Sequence, residues 1–308
     1  LNHYGSKKEP ILFVIDYDLK NFFISPLSQL DPGIKFAIDS TTIFNNKKIP
    51  YTYKSISKER YKKAFDTIIS EIEAGNTYLT NLTFRSKLFI DYSLEEIYEY
   101  SDARFKLLFG DKFVSFSPER FVKIENDQIY TYPMKGTIDA KIPNAEEKIL
   151  ANKKEMAEHT MVVDLLRNDL SIISKKVRVE KFRYVEKIKA GERELLQVSS
   201  KIKGVLESGW QDRLGEIIVS MLPAGSITGA PKRSTVDIIK KVEGYERGYY
   251  SGVFGVFDGE SLDSAVMIRF IEKNGNQLYY KSGGGITIDS DWLSEYNEMC
   301  EKIYVPFL

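Results

Sequence analysis

Chemistry is most readily read from two short acidic runs, Glu155-Met-Ala-Glu158-His159 and Glu295-Tyr-Asn-Glu298. In each, two glutamates stand three residues apart, which on a helix puts both carboxylates on one face, one turn apart. Lys302 continues the second face. Two helices presenting such faces can clamp a magnesium ion, a hard cation that keeps several waters and takes a further ligand from an anionic substrate. The plain alternative for either run is a solvated acidic face. Lys135, directly before Gly136, is either an exposed turn residue or an amine. Enclosed beside apolar groups or another cation, it could shed its proton and act as a nucleophile. Glu119, ahead of an expected strand, could serve as the matching acid. The run Gly283-Gly284-Gly285, expected between a strand and the last helix, either turns backbone N–H groups toward an anion or makes a flexible turn. The loop Pro223-Ala-Gly-Ser-Ile-Thr-Gly-Ala-Pro-Lys232 offers amides and a helix start to a carboxylate. It lacks the GxxxxGK[ST] spacing of a nucleotide P-loop.

Composition narrows the rest. The 308 residues carry 44 Lys+Arg against 44 Asp+Glu, with two histidines and one cysteine. Balanced charge argues against a nucleic-acid or membrane-surface partner. Cys300 alone allows no intrachain disulfide and no cysteine-rich metal site, and it suits a reducing cytoplasm. His3 belongs to the terminus, so a Ser-His-Asp hydrolase would rest on His159, and multi-histidine metal sites are excluded. No apolar run approaches a membrane span, and the start carries no signal-like stretch. The expectation is a folded cytoplasmic protein whose metal, if any, is held by carboxylates.

The elements that must position these residues follow from periodicity. Residues 1–50 read as a short β-rich lead-in, with turn-rich pieces at Asp31-Pro32-Gly33 and Asn45-Asn46-Lys47. Apolar spacing predicts helices over 57–74, 93–100, 145–173, 210–221, 232–242 and 290–304. Strands are predicted at 77–90, 112–116, 121–125, 128–132, 177–187, 194–206, 249–258, 261–273 and 277–282, with a hairpin turn at Asn126-Asp127. Strand clusters joined by hairpins and alternating with helices give an α+β class, with residues 51–308 as one large domain.

The motifs taken together resemble the chorismate-utilising enzymes, and within them the aminodeoxychorismate-forming members. The matching stretches are SPERF (117–121), PMKGT (133–137), EMAEHTMVVDLLRNDL (155–170), LPAGSITGAPK (222–232), GYYSGVFG (248–255), AVMIRF (265–270), YKSGGGIT (280–287) and SDWLSEYNEMCEK (290–302). The resemblance implies a large α/β/β/α sandwich of two antiparallel sheets back to back with helices outside. It implies magnesium held by Glu158 and Glu298 with Glu155 and Glu295 in support. Tyr250 and Arg269 would grip substrate carboxylates, the latter through its planar fork. Gly283–Gly285 and Ser226–Thr228 would form amide cradles, and Lys302 would be a cation beside the metal face. Lys135 stands where anthranilate-forming members carry alanine. The implied chemistry is amination of chorismate, with Glu119 as general acid, Lys135 as a transient nucleophile and ammonia from a separate glutamine amidotransferase subunit. Anthranilate formation, or a silent chorismate-binding subunit, is the alternative.

Two positions depart from the family pattern. Leu79 replaces a glutamine or lysine and cannot activate water. Gln197 replaces a histidine; it can hydrogen-bond a carboxylate or hydroxyl but carries no proton at neutral pH. His159 reads as packing or as support for Glu158. Arg167 and Asp169 read as a buried, paired structural element.

Overall fold

The computed structural model describes residues 1–39, 50–190 and 193–306; the expected turn at Asn45-Asn46-Lys47 lies outside them. Ile11–Ile15 is buried at every position, and its alternation explains the architecture. Ile11, Phe13 and Ile15 join one apolar cluster while Leu12 and Val14 join another. A strand whose successive side chains point to opposite faces and are all apolar must lie between two layers. Those layers are helices on one side and a second sheet on the other.

Among the described residues the first sheet runs Met134–Asp139, Arg193–Val205, Gln128–Thr131, Arg120–Glu125, Leu262–Val266, Val253–Phe257, Ile11–Ile15, Phe22–Pro26, with Lys175–Ala190 pairing Arg193–Val205 along its edge. The second runs Gly229–Ala230, Leu79–Phe89, Gln277–Ile286, Phe270–Asn274, Phe113–Ser117, Phe105–Phe109, Ile34–Ile38, with Thr52–Lys54 pairing Leu79–Phe89. Every pairing is antiparallel. The helices Lys153–Ile173 and Leu214–Ser220 cover the first sheet through Val162, Val163, Leu166, Leu170, Leu214, Ile217 and Ile218. The helices Lys58–Glu73, Lys232–Glu243 and Trp292–Glu301 cover the second through Tyr61, Phe65, Ile68, Ile238, Val242 and Met299. Each such side chain contributes about 1.5–3 kcal/mol on burial. The result is the expected α+β sandwich of helices, sheet, sheet and helices. Among the described residues no helix is long and apolar enough to cross a membrane.

Four differences between the structure and the sequence reading shape the site. The expected helix over 145–173 is two, Ala145–Ala151 and Lys153–Ile173. Asn152 is extended between them, and its side chain accepts the Glu155 N–H at 3.2 Å, an N-cap that starts a new helix. The expected strand over 261–273 is also two, Leu262–Val266 and Phe270–Asn274, which lie in different sheets. Gly283–Gly285 belongs to the strand Gln277–Ile286, opposite Thr83, Leu82 and Asn81, and makes no turn. The fourth difference is the additional strands Phe105–Phe109 and Met134–Asp139. The turn at Asn126-Asp127 is as expected, both residues having positive φ (51° and 56°), the requirement of a two-residue hairpin turn.

Candidate active site

Two crossings between the sheets carry the first pair of site residues. Ser117-Pro118-Glu119 leads from Phe113–Ser117 in the second sheet to Arg120–Glu125 in the first. Met267-Ile268-Arg269 leads back from the first to the second. The crossings are tied together: Val266 N–H donates to Glu119 O at 3.1 Å and Phe116 N–H to Arg269 O at 3.0 Å. Arg269 has φ +53°, a conformation that non-glycine residues occupy only when the surroundings fix it. Its guanidinium lies 5.2 Å from the Tyr304 ring centroid, and its buried Nε has no hydrogen-bond partner. Burial opposes the Arg269 charge, but Tyr304 and Tyr280 outweigh it and hold the guanidinium above its ordinary value. Tyr250 is buried, and burial pushes its phenol up to about 12.

Lys135 is aimed by a bulge. The ladder between Met134–Asp139 and Arg193–Val205 slips between Met134 and Thr137, and Gly136 there has φ +82°. A bulge with a left-handed glycine turns its neighbour off the regular pleat. Lys135 Nζ reaches Glu158 Oε2 at 3.2 Å, while the Glu155 carboxylate packs over Gly136, 3.2 Å from where a Cβ would stand. Gln197, two places along the same ladder, sits opposite Thr137.

The glycine run forms a floor. A Cβ on Gly284 would lie 3.5 Å from both Glu295 Oε2 and Lys302 Nζ, and 3.9 Å from Glu298 Oε1. A Cβ on Gly285 would lie 3.1 Å from the Leu79 side chain and 3.7 Å from Lys135 Nζ. The glycines therefore admit close approach of side chains; Leu79–Phe89 pairs this stretch along one edge, while on the other edge the pairing with Phe270–Asn274 stops at Lys281. Lys302 Nζ bridges Glu298 at 2.6 Å and Gly283 O at 3.0 Å.

The two acidic helices face each other across this floor. Burial raises the Glu155 carboxyl above its ordinary range, and the neighbouring Glu158 and Glu298 add to the rise. Burial likewise raises Glu295, opposed by the Ser290 hydroxyl at 2.9 Å and reinforced by Glu298 and Glu158. Burial works against the charge on Glu298, but Lys302 outweighs it and keeps Glu298 low. Burial in turn lowers Lys302, and Arg269 and Lys135 push the same way. Among the described residues no three carboxylate, imidazole or thiol groups are already gathered as a chelate; Glu158 pairs with Lys135 and Glu298 with Lys302. The donor set nevertheless fits magnesium. It is all oxygen, and magnesium needs only one or two protein carboxylates beside waters and substrate.

Glu119 accepts a hydrogen bond from the Ser226 hydroxyl. Burial raises Glu119, while Ser226, Lys135, Arg269 and Lys302 pull it back. Net elevation favours the protonated form that a general acid needs. Thr228 spends its hydroxyl within its own loop, on Ala224 O at 2.8 Å. The residues singled out in the sequence thus gather at one seam, from Glu119 and Arg269 on the crossings to Lys135, Lys302 and the four glutamates.

The sequence reading took His159 as packing or as support for Glu158, and it missed the partner of His159, Ser200. His159 is buried and pairs with Ser200 Oγ at 2.6 Å; burial, then Arg183 and Lys135, lowers its pKa to about 4, so the ring is neutral. Ser200 also accepts the Arg183 N–H at 2.9 Å and donates its own N–H to Pro133 O at 2.9 Å, joining the glutamate helix to the Lys135 strand. Nothing in the local pattern marked Ser200. The pairing of Arg167 with Asp169 is corrected: Arg167 is exposed and bonds Asp164 at 3.2 Å, whereas Asp169 is buried and holds Lys232 at 2.8 Å. Asp169 faces inward with Leu166 and Leu170 while Arg167 turns to solvent.

Opposed carboxylates, amines and a guanidinium at one seam of two antiparallel sheets have the chemistry to hold a small anionic molecule. The family model described as chorismate binding enzyme matches residues 23–307, and the chain belongs to that family. It is 47% identical to an uncharacterized PabA-like protein of Pasteurella multocida over 99% of this chain and 96% of that protein. It is 32% identical to aminodeoxychorismate synthase component 1 of Bacillus subtilis over 80% of this chain, and spans 55% of that relative. Anthranilate synthase component I of Streptococcus pneumoniae has the same fold, with a TM-score of 0.70 and 28% identity over 82% of this chain and 59% of that one.

Proposed function

We propose that this protein aminates chorismate at C4 to give 4-amino-4-deoxychorismate, as a cytoplasmic enzyme of the 4-aminobenzoate branch, using ammonia from a glutamine amidotransferase partner. The observation that carries the reading is Lys135, whose amine is turned by the Gly136 bulge to the edge of the carboxylate seam, 3.2 Å from Glu158. The lone pair of the Lys135 amine adds to C2 of the ring, the ring double bonds shift, and the C4–O bond breaks. Glu119 gives its proton to the departing oxygen, which leaves as water. Ammonia then bonds to C4, the double bonds shift back, the C2–N bond breaks, and the electron pair returns to Lys135. The Glu119 carboxylate takes up the proton that the new amine sheds. Arg269, with its unpartnered Nε, and Tyr250 hold a substrate carboxylate. Gln197 offers an amide to a carboxylate or hydroxyl. Glu158 and Glu298 would hold magnesium with Glu155 and Glu295 behind them, and the bound ion would supply charge neutralisation for the ring carboxylate.

The test is product identification by mass after incubating the chain with chorismate, magnesium and ammonium at alkaline pH. Aminodeoxychorismate is expected, together with a covalent adduct on the acid-quenched protein. Lys135→Ala is expected to abolish the adduct and most of the product. Unchanged rates in that variant would remove the nucleophile from the mechanism. The second reading, anthranilate formation, is favoured by the likeness to the Streptococcus pneumoniae enzyme and would reveal itself by release of pyruvate. Absence of any product with ammonium supplied would favour a silent chorismate-binding subunit.

A further inference from the structure

The buried carboxylate of Asp169 lies on the helix Lys153–Ile173 and serves two partners. Lys232 Nζ donates to its Oδ1 at 2.8 Å and to Met221 O at 2.9 Å. The other oxygen of the same carboxylate, Oδ2, packs directly against Gly225. A Cβ at Gly225 would stand 2.9 Å from Asp169 Oδ2 and 3.0 Å from the Leu165 side chain, so only glycine lets the loop come this close. The next residue is Ser226, whose hydroxyl donates to Glu119. Internal bonds stiffen the turn: Thr228 N–H donates to Gly225 O at 3.2 Å, and Thr228 Oγ1 to Ala224 O at 2.8 Å. An unbroken line of contacts therefore runs from an ion pair on the helix layer to the acid at the sheet crossing.

We propose that the Lys232–Asp169 ion pair is a positioning device for the acid: it fixes Gly225, Gly225 fixes the Ser226 hydroxyl, and that hydroxyl fixes the orientation and the proton affinity of Glu119. Asp169 and Lys232 are positioning residues and touch no reacting atom. The inference rests on the amination reading only for the use to which Glu119 is put. Charged groups facing Glu119 are Lys135, Arg269 and Lys302, and none of them is altered in the variants below. A hydroxyl that donates to a carboxylate favours its charged form, so releasing Ser226 should raise the midpoint of Glu119.

The test is a titration of the substrate-free and metal-free chain carrying 13C-carboxyl glutamate, followed by NMR, with the Glu119 signal identified by its loss in Glu119→Gln. Ser226→Ala is expected to raise the Glu119 midpoint by about one pH unit, the worth of one hydrogen bond to a charged group. Asp169→Asn is expected to raise it by a smaller amount, while Lys232→Arg leaves it in place. The double variant Asp169→Asn/Ser226→Ala should match Ser226→Ala alone, because Asp169 acts through Ser226. Lys232→Gln, at the partly exposed end of the pair, repeats the test should Asp169→Asn not fold. In turnover, kcat should fall about tenfold in Ser226→Ala with little change in KM, and Ser226→Thr should recover it. A Glu119 midpoint and kcat unmoved in Asp169→Asn, with only the melting temperature lowered, would overturn the inference, as would additive shifts in the double variant. A shifted midpoint in a chain that consumes no chorismate would support the device while refuting the amination reading.

Discussion

The cluster around Arg247 and the cluster around Lys135 are made of the same kinds of side chain, and they differ in how completely their hydrogen bonds are made. Arg247 and Glu243, with side chains 2% and 1% exposed, face each other at 2.6 Å. The guanidinium also donates to Ile227 O at 2.8 Å and Asn81 O at 2.7 Å. Glu243 accepts Thr83 N–H and Oγ1, both at 2.8 Å, and Lys281 joins through Arg247 O and Glu272. The site, by contrast, leaves Arg269 Nε without a partner and holds two of its glutamates, Glu155 and Glu295, against like charge. A saturated network fixes structure, and an unsaturated one keeps bonding capacity for a substrate. The two are connected: Ile227 lies beside Ser226, and Asn81 is opposite Gly285, so the saturated cluster holds the walls on which the unsaturated one stands.

The largest effect should come from breaking the saturated cluster. Arg247→Met leaves the Glu243 charge buried without its partner, and a loss of about 3–5 kcal/mol is expected. Urea denaturation is the measurement. A loss below about 1 kcal/mol would mean that the cluster does not carry the walls.

Glu119→Gln should do the opposite, costing activity and little stability. Removing a positioned acid is expected to lower kcat by roughly 10²–10⁴. Because burial raises Glu119 in the folded chain, the native state binds more protons than the unfolded state between the ordinary carboxylate range and the raised value. Its contribution to stability therefore falls as pH rises through that window. Melting temperature against pH should show a shallower fall in Glu119→Gln than in the wild type, and identical slopes would contradict the raised pKa.

How much of this was legible in the sequence depended on whether a residue acts through local spacing or through a distant partner. The glutamate pairs, one turn apart, could be read directly, as could Lys135 before a glycine. The break at Asn152 had a signal, Asn three residues ahead of Glu155, which is a helix-start pattern, but the continuous apolar period masked it. The glycine run stayed open between an amide cradle and a turn because glycine marks both turns and places of close approach; only Glu295, Lys302 and Lys135 packing above it in the fold exclude the turn. The crossing at Arg269 was invisible for a different reason. Met267 and Ile268 keep the apolar run going, and the change of sheet is set by pairing with Arg120–Glu125 on one side and Phe113–Ser117 on the other. Ser200 and the Asp169–Lys232 pair act across long sequence separations, which no local pattern records.

Magnesium should sharpen the contrast at intermediate size. An ion that binds the folded chain stabilises it by about 2.7 kcal/mol at one hundred times its dissociation constant. A rise in melting temperature with added magnesium is expected for the wild type and for Arg247 variants that still fold. It should be much reduced in Glu298→Gln and in Glu158→Gln. An equal rise in all of them would place the ion elsewhere.

The smallest effect belongs to Arg167, in the same motif as Asp169. Its side-chain partner, Asp164, lies one turn back on the same exposed helix face, with side chains 46% and 63% exposed. Such a pair works in high dielectric and spends side-chain entropy to form, so its worth is about 0–1 kcal/mol. Arg167→Ala should change unfolding free energy by no more than about 0.5 kcal/mol and leave kcat as it is. Asp169→Asn, two residues away, should lower kcat. The motif therefore separates by helix face: the side turned toward the loop of Gly225 bears on the acid, and the side turned to water bears on nothing. A loss of kcat in Arg167→Ala comparable to that in Asp169→Asn would show that the motif acts as a whole and not through the one buried carboxylate.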